Sequence, residues 1–227
     1  MKIGILGTGM VGNTLGTALI AKGHEVKMGS RDAVNEKAIE WTKANGKNAR
    51  PDHPVGRAFH GTFEDAAIFG DIIFNCTKGE HSLEALTAAG EQNLAGKILV
   101  DVANPLDFSK GMPPTLSLVN DTSLGETIQT VFPQTKVVKT LNTLNCTLMV
   151  DATKLANGDH NLFICGNDES AKHKVKELLN ENFNWKIENI IDLGDITNSR
   201  GSEQLLPIWI RLWGALGTAD FNFKIVR

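Results

Sequence analysis

Six residues near the amino terminus, Gly7-Thr8-Gly9-Met10-Val11-Gly12, restrict the fold more than anything else in the chain. They follow the short apolar run Lys2–Leu6. They open the stretch Met10 to Lys22, where Val11, Leu15, Ala18 and Leu19 recur at helical spacing until Gly23. A strand, a glycine turn and a helix in that order predict the first step of a parallel sheet that binds a dinucleotide. Gly7 permits the tight turn, Gly9 lets backbone approach a pyrophosphate, and Gly12 lets the helix pack closely on the strand. Unpaired N–H groups and the positive dipole end of the helix then face the phosphates. A plain strand-to-helix turn is the alternative, and the flanking strand and helix argue against it.

The alternation continues down the chain. Glu25–Met28 reads as a strand and Ala33–Asn45, with Ala38, Ile39 and Trp41, as a helix. Gly46 to His60 is polar, carries two prolines and reads as a long loop. Thr62–Phe69 is a predicted helix, Ile72–Cys76 a strand, Ser82–Ala89 a helix and Ile98–Val102 a strand closed by Asn104-Pro105. After a Pro-, Gly- and Ser-rich surface loop over Asp107–Leu124, the pattern predicts helix Gly125–Phe132 and strands Lys136–Leu141 and His160–Cys165. Helix Glu169–Asn182, strand Ile187–Leu193, a long apolar helix over Thr197–Gly217 and a last short strand at Asn222–Val226 complete the reading. The fold class is α/β: a Rossmann-type, doubly wound, mostly parallel sheet. Residues 1–150 are assigned to the nucleotide-binding domain. Residues 151–227 are assigned to a small C-terminal α/β region.

Composition removes several classes. With 227 residues, the chain can bury a core without staples. The net charge of -3 and the lack of a basic block give nucleic acid no electrostatic attraction. No segment approaches the roughly 20 apolar residues that span a bilayer, so no membrane association is expected. The start MKIGILG mimics a signal peptide, but glycines interrupt it and Lys22 to Glu25 closes it without a cleavage site. Cys76, Cys146 and Cys165 form neither a C-x-x-C pair nor a zinc pattern. They fit buried thiols in a reducing cytoplasm, and no metal site is expected.

The end of the second strand decides which dinucleotide is bound. NAD-binding chains usually place Asp or Glu about 20 residues beyond the glycines. Here Gly29, Ser30 and Arg31 occupy that place. A hydroxyl and a guanidinium suit the 2′-phosphate of NADP(H), which would repel a carboxylate. Asp32 complicates this if it turns inward, and a solvated Ser-Arg-Asp at a helix start is the bland alternative. Beyond the other strand ends lie Thr77 and Lys78, then Ala103, Asn104 and Pro105, and then Asn142, all suited to lining the nicotinamide half. His81 is the one histidine at such an edge and so the candidate general acid, although a histidine opening a helix is more often a surface or capping residue. His24, His53, His60, His160 and His173 read as turn or surface residues. Asp101, inside a strand, reads as a hydrogen-bonded scaffold element rather than a base. With no tyrosine in the chain, the tyrosine-dependent proton transfer of short-chain dehydrogenases is excluded.

Along KIGILGTGMVGNTLG, EVKMGSRD, DIIFNCTKGEHSLEAL, ILVDVANPL and KVVKTLNTLNCTLM, the chain resembles the NADP oxidoreductases that use coenzyme F420. That family also includes the N-terminal oxidoreductase domain of the STEAP metalloreductases. The resemblance continues through LFICGNDESAK and the late segment IDLGDITNSRGSEQLLPIWIRLWGALGTADFNFKI. It implies NADP(H) at Thr8–Gly12, Ser30 and Arg31, with Asn104 and the Thr77-Lys78 turn near the cofactor. It also implies hydride transfer to a deazaflavin (F420) or flavin, a homodimer, and a C-terminal region, residues 151–227, that completes the site and forms the dimer interface. F420 carries an acidic tail, for which Lys78, Arg200 and Arg211 are the candidate cations. The apolar late helix, with Leu205, Leu206, Ile208, Trp209, Leu212 and Trp213, reads as core or dimer packing, or as a wall for a planar ring. Two other readings stay open: reduction of a small carbonyl or imine assisted by His81 or Lys78, and a non-catalytic NADP(H)-sensing module.

Overall fold

A computed structural model describes residues 1–46 and 56–227. Its first half alternates strand and helix: β1 (Lys2–Leu6), α1 (Met10–Ala21), β2 (Glu25–Ser30), α2 (Glu36–Asn45), β3 (Arg57–Thr62), α3 (Phe63–Phe69), β4 (Ile72–Asn75), α4 (Gly79–Ala89), the short α5 (Glu91–Leu94) and β5 (Ile98–Asp101). The two-residue strands β6 (Leu106–Asp107) and β7 (Thr115–Leu116) pair with each other, and α6 (Leu124–Val131) and β8 (Lys136–Thr140) follow. The remainder comprises α7 (Cys146–Met149), β9 (Leu162–Gly166), α8 (Glu169–Phe183), β10 (Ile190–Asp192), α9 (Ser199–Gln204) and α10 (Leu206–Leu216).

Among the described residues, eight strands form one sheet in the order β10-β9-β8-β5-β4-β1-β2-β3. Its pairings are parallel except for β8 with β9, which run antiparallel. The central strands are mainly apolar because helices cover both faces. Ile3, Ile5, Phe74, Val100 and Val138 pack on one side with Leu15 and Leu19 of α1 and Val175 and Leu179 of α8. Leu6, Ile73, Leu99 and Val137 pack on the other with Leu86 of α4 and Ile128 of α6. Each large aliphatic side chain so buried contributes about 1.5–3 kcal/mol. β9 and β10, beyond residue 150, extend the same sheet.

Helix starts follow side-chain chemistry. Asn35 accepts from the Ala38 amide, Thr62 and Asp65 form a reciprocal capping box, and Ser123 and Asp168 cap α6 and α8. The helix α1 begins instead at Gly9, which offers no side-chain cap.

Several expectations are corrected. The loop expected over Gly46 to His60 contains β3, which pairs with β2 at the sheet edge; residues 47–55, His53 among them, lie outside the described residues. The strand was hidden because an edge strand needs little apolar character. Its Arg57 reaches Glu25 on the neighbouring strand instead. The long apolar helix over Thr197–Gly217 is two helices, with Pro207 in the first turn of the second. Proline lacks the N–H that a continuous helix would need there. Asn222–Val226 is not a strand: the tail is held by the Asn161 amide donating to Phe223 O and by the Ile225 amide donating to Asn161 Oδ1. The loop expected over Asp107–Leu124 includes one side of the β6–β7 pair. His160 is buried, with Nε2 2.9 Å from Ala152 O and its ring edge-on to Trp185.

Candidate functional site

The parallel register brings the ends of β1, β2 and β4 together, with Leu6 opposite both Gly29 and Asn75. Gly7 leaves β1 at φ +116°, a conformation that L side chains avoid. A Cβ there would lie 2.7 Å from Cys76 O, and one on Gly12 would lie 2.2 Å from Gly7 O. A Cβ on Gly9 would meet nothing within 4 Å, so its open side faces the crevice. The result is a bare backbone cradle at the start of α1, with first-turn amides that no side chain caps. Thr8 lines the cradle, Met10 is exposed and Val11 half-buried.

A cleft of about 310 Å³ opens beside the cradle. Gly7, Thr8 and Gly9 form one wall, Ser30, Arg31 and Lys37 a second, and Thr77, Lys78, His81 and Glu84 a third. The Ser30 hydroxyl donates to Asp32 O at 2.6 Å, so it holds the turn that presents Arg31. Arg31 is exposed, with Nε 3.5 Å from Glu84 Oε1. The Asp32 carboxylate accepts from the Val34 amide at 3.0 Å, along its own loop. Lys37, in the first turn of α2, and Glu84, on α4, went unnoticed in the sequence. A second basic residue in the first helical turn after the Ser-Arg pair was the available signal for Lys37.

His81 stands on the Arg31 side of the cleft. Its ring nitrogens lie 3.6 Å from Glu80 and 3.7 Å from Glu84. Lys78 precedes α4 with an exposed side chain whose Nζ is 3.9 Å from Glu80. Thr77 is fixed from below: its hydroxyl donates to Asn75 Oδ1 at 2.7 Å and lies 2.9 Å from the Ser82 hydroxyl.

The remaining expected residues form a second, adjoining cluster. Asn104 Nδ2 donates to Asn142 O at 2.7 Å, and Asn142 Nδ2 returns a bond to Asn104 Oδ1 at 2.9 Å. The preceding residue, Leu141, is buried at φ +62°, a position costing about 1–3 kcal/mol that only a well-determined surrounding sustains. Pro105 O accepts from the Ser117 amide, tying the turn to β7's flank. The Asn104 carbonyl abuts Gly79, where a Cβ would lie 2.1 Å away, so this cluster touches the start of α4. Ala103 is buried, and its amide donates to Asp101 Oδ1 at 3.2 Å. Asp101 is itself buried and paired with Lys139 at 2.8 Å, a scaffold element as its sequence position indicated.

Of the other cations, Arg200 does not face the crevice as a free charge. It forms two bonds to Glu126, at 2.8 and 2.5 Å, and this guanidinium holds the Glu126 carboxyl below its usual range. Arg211 is exposed on α10, together with Ile208, Trp213 and Leu216. Cys76, Cys146 and Cys165 are free and buried, and burial pushes the Cys165 thiol up to about 12. Among the described residues, no cluster of His, Cys, Asp or Glu is suited to a metal ion, and no helix is long and apolar enough to cross a membrane.

A bare glycine cradle at the head of the first helix, cations after the second strand, and a crevice at the carboxyl edge of a doubly wound sheet define a dinucleotide-binding protein of the Rossmann class. Residues 2–105 match the family described as NADP oxidoreductase, coenzyme F420-dependent. Over 218 residues the chain is 34% identical to the F420-dependent NADP reductase of Methanocaldococcus jannaschii, covering 93% of this chain and 92% of that one. The chain belongs to this family of NADP-dependent oxidoreductases. A crystal structure of a chain provisionally named F420-dependent NADP reductase, from Arthrobacter sp. FB24, superposes with a TM-score of 0.85 at 54% identity, over 100% of both chains. The rat protein Metalloreductase STEAP3 is 29% identical over 92% of this chain, which spans 38% of that longer protein.

Proposed function

We propose that this chain binds NADP(H) in the cleft between Gly7–Gly12 and Arg31, and exchanges hydride between the nicotinamide and a flavin-like or deazaflavin (F420-type) acceptor. One observation carries the reading. An uncapped helix start and two cations, Arg31 and Lys37, line a single cleft of about 310 Å³. The cofactor supplies the reactive hydride, so the protein's work is binding and alignment. In this reading the amides of Thr8 to Gly12 hold the pyrophosphate, and Arg31 reads the 2′-phosphate with Lys37 beside it. Ser30 sets the turn. Thr77, Lys78, Ala103, Asn104, Pro105 and Asn142 line the nicotinamide half. His81 belongs to the adenosine end and to the Glu84 carboxylate.

Residues 151–227 complete the site and supply a homodimer interface through the exposed Ile208, Trp213 and Leu216 of α10, which sedimentation would register as twice the chain mass. Three buried, unpaired thiols suit a cytoplasmic setting. The test of the activity is to mix the protein with NADPH and with F420, FMN, FAD or riboflavin, and to follow nicotinamide absorbance. Turnover with a ring acceptor is the expected result. NADPH binding without oxidation by any of the four would overturn the hydride-transfer reading.

A further inference from the structure

Lys139 sits in β8, an interior strand of the sheet, with its side chain wholly buried. Its ammonium has three partners: Asp101 Oδ2 at 2.8 Å, Glu203 Oε1 at 2.9 Å and the carbonyl of Ala103. All three protons are used. Asp101 and Glu203 are equally buried, so three charges lie out of water together. Burial works against the charge on Lys139, and the two carboxylates overcome it, holding the ammonium above the ordinary lysine range.

Such a group is costly to build, and apolar residues of the same size often serve stability as well or better. Its position suggests what it does instead. Asn75, Asp101 and Lys139 lie in one row across β4, β5 and β8. At the crevice end of that row, Asn75 Nδ2 donates to Asp101 at 2.8 Å while Asn75 Oδ1 accepts from the Thr77 hydroxyl. Asp101 takes the Ala103 amide, and Lys139 takes the Ala103 carbonyl. Both peptide groups of the residue before Asn104 are therefore clamped. At the far end, Glu203 on α9 accepts the amides of Leu124 at 2.8 Å and Gly125 at 3.1 Å, opening α6.

We infer that Lys139 and Glu203 are positioning residues for the nicotinamide half of the cofactor. The trio couples docking of the C-terminal helix α9 to the placement of the Ala103–Pro105 turn and the Thr77 hydroxyl. It does so without touching the Arg31 end. This rests on the nicotinamide cofactor lying in the proposed crevice.

Two experiments read it. In Glu203→Gln and Lys139→Met, calorimetry should give affinities for 2′,5′-ADP, which fills only the adenosine half, within about twofold of the wild type. The kcat for NADPH oxidation by a ring acceptor should fall tenfold or more, with a smaller change in KM. A uniform loss for 2′,5′-ADP and NADPH alike, or an unchanged kcat, overturns the inference and leaves a merely structural trio. Should the variants fail to fold, hydrogen exchange on the wild type decides. NADPH should protect the peptides covering 101–106 and 199–204 together, and 2′,5′-ADP should protect neither. Equal protection by both ligands, or none over 199–204 with NADPH bound, refutes the coupling. A wild-type protein that binds neither ligand fails at the earlier step and removes the site itself.

Discussion

Two glycines three residues apart should fail in opposite ways when each is given a methyl group. At Gly12 the new Cβ would lie 2.2 Å from Gly7 O and 3.2 Å from Ile5 Cγ2, so the Gly7 carbonyl must retreat by about an ångström to reach ordinary contact. It has nowhere to go. Gly7 is already held at φ +116°, its amide donates to Gly29 O at 3.0 Å, and its α-carbon faces Cys76 O. Overpacking of this kind costs about 1–3 kcal/mol, and a chain of this length loses roughly 2–4 °C of Tm per kcal/mol. At Gly9 the backbone is extended (φ -77°) and nothing lies within 4 Å, so Gly9→Ala should leave Tm unchanged. In the proposed reading its methyl instead occupies the side from which phosphate reaches the helix amides. Losing one charge-assisted bond costs about 1.5–3 kcal/mol, or tenfold to about 150-fold in NADPH affinity. Thermal melts followed by circular dichroism and calorimetric titration of NADPH separate the two effects. Wild-type NADPH affinity in Gly9→Ala, or a Tm loss in Gly9→Ala equal to that in Gly12→Ala, would refute the assignment of the cradle.

Arg31→Ala should weaken NADPH about tenfold to 150-fold while changing NADH little, since a charge-assisted contact is worth about 1.5–3 kcal/mol; equal losses measured by calorimetry would remove Arg31 from the 2′-phosphate. Glu84 lies 3.5 Å from Arg31 in the same cleft, and in the proposed reading it competes with the 2′-phosphate for it. Glu84→Gln should therefore tighten NADPH a few-fold more than NADH, with a weaker salt dependence of that gain being the sign of a non-electrostatic cause. The Arg200 guanidinium depresses Glu126, so this carboxylate stabilises the fold above its unfolded range of about pH 4.3 and loses that contribution as pH falls through its lower folded value. Glu126→Gln should flatten the acid side of the Tm-versus-pH curve, and parallel curves for variant and wild type would show that the pair carries no linkage.

How much was legible depends on whether the determinant is local. The Gly7–Gly12 turn could be read because its demands, a positive φ and two close backbone approaches, fall on residues next to one another. Capping chemistry at Thr62 and Asp65 was equally local. By contrast, β9 runs against β8, and nothing in the five buried residues Leu162–Gly166 records direction, because an apolar strand buries equally well either way. Apolar periodicity across Thr197–Gly217 passed unbroken over Pro207, since the pattern reports faces and not N–H donors. β3 was missed because its position at the edge leaves Arg57 exposed and most of the strand half-covered. In the site, Lys37 and Glu84 enter the cleft from helices that the sequence keeps 47 residues apart. The Asp101–Lys139–Glu203 trio likewise draws on three distant elements. Its local traces were Asp101 inside a predicted strand and a lysine within the strand Lys136–Thr140.

That trio also limits where a proton can come from. A lysine acting as general acid near the Ala103 turn would leave Asp101 and Glu203 buried as unpaired carboxylates, a change that costs several kcal/mol. Lys139 is therefore unsuited to giving up its proton. His81 faces Glu80 and Glu84, the latter also meeting Arg31, whereas Asn104 and Asn142 form the other cluster. Hydride acceptance by a conjugated ring that draws its proton from solvent fits these placements better than reduction of a carbonyl or imine, where a positioned acid contributes about 10²–10⁴-fold. His81→Ala should keep kcat with a ring acceptor within about twofold, and the kcat profile should stay flat across the ordinary imidazole range near pH 6.5. A loss of a hundredfold or more, together with disappearance of an ionisation in that range, would return the histidine to the chemistry and favour the carbonyl or imine substrate instead.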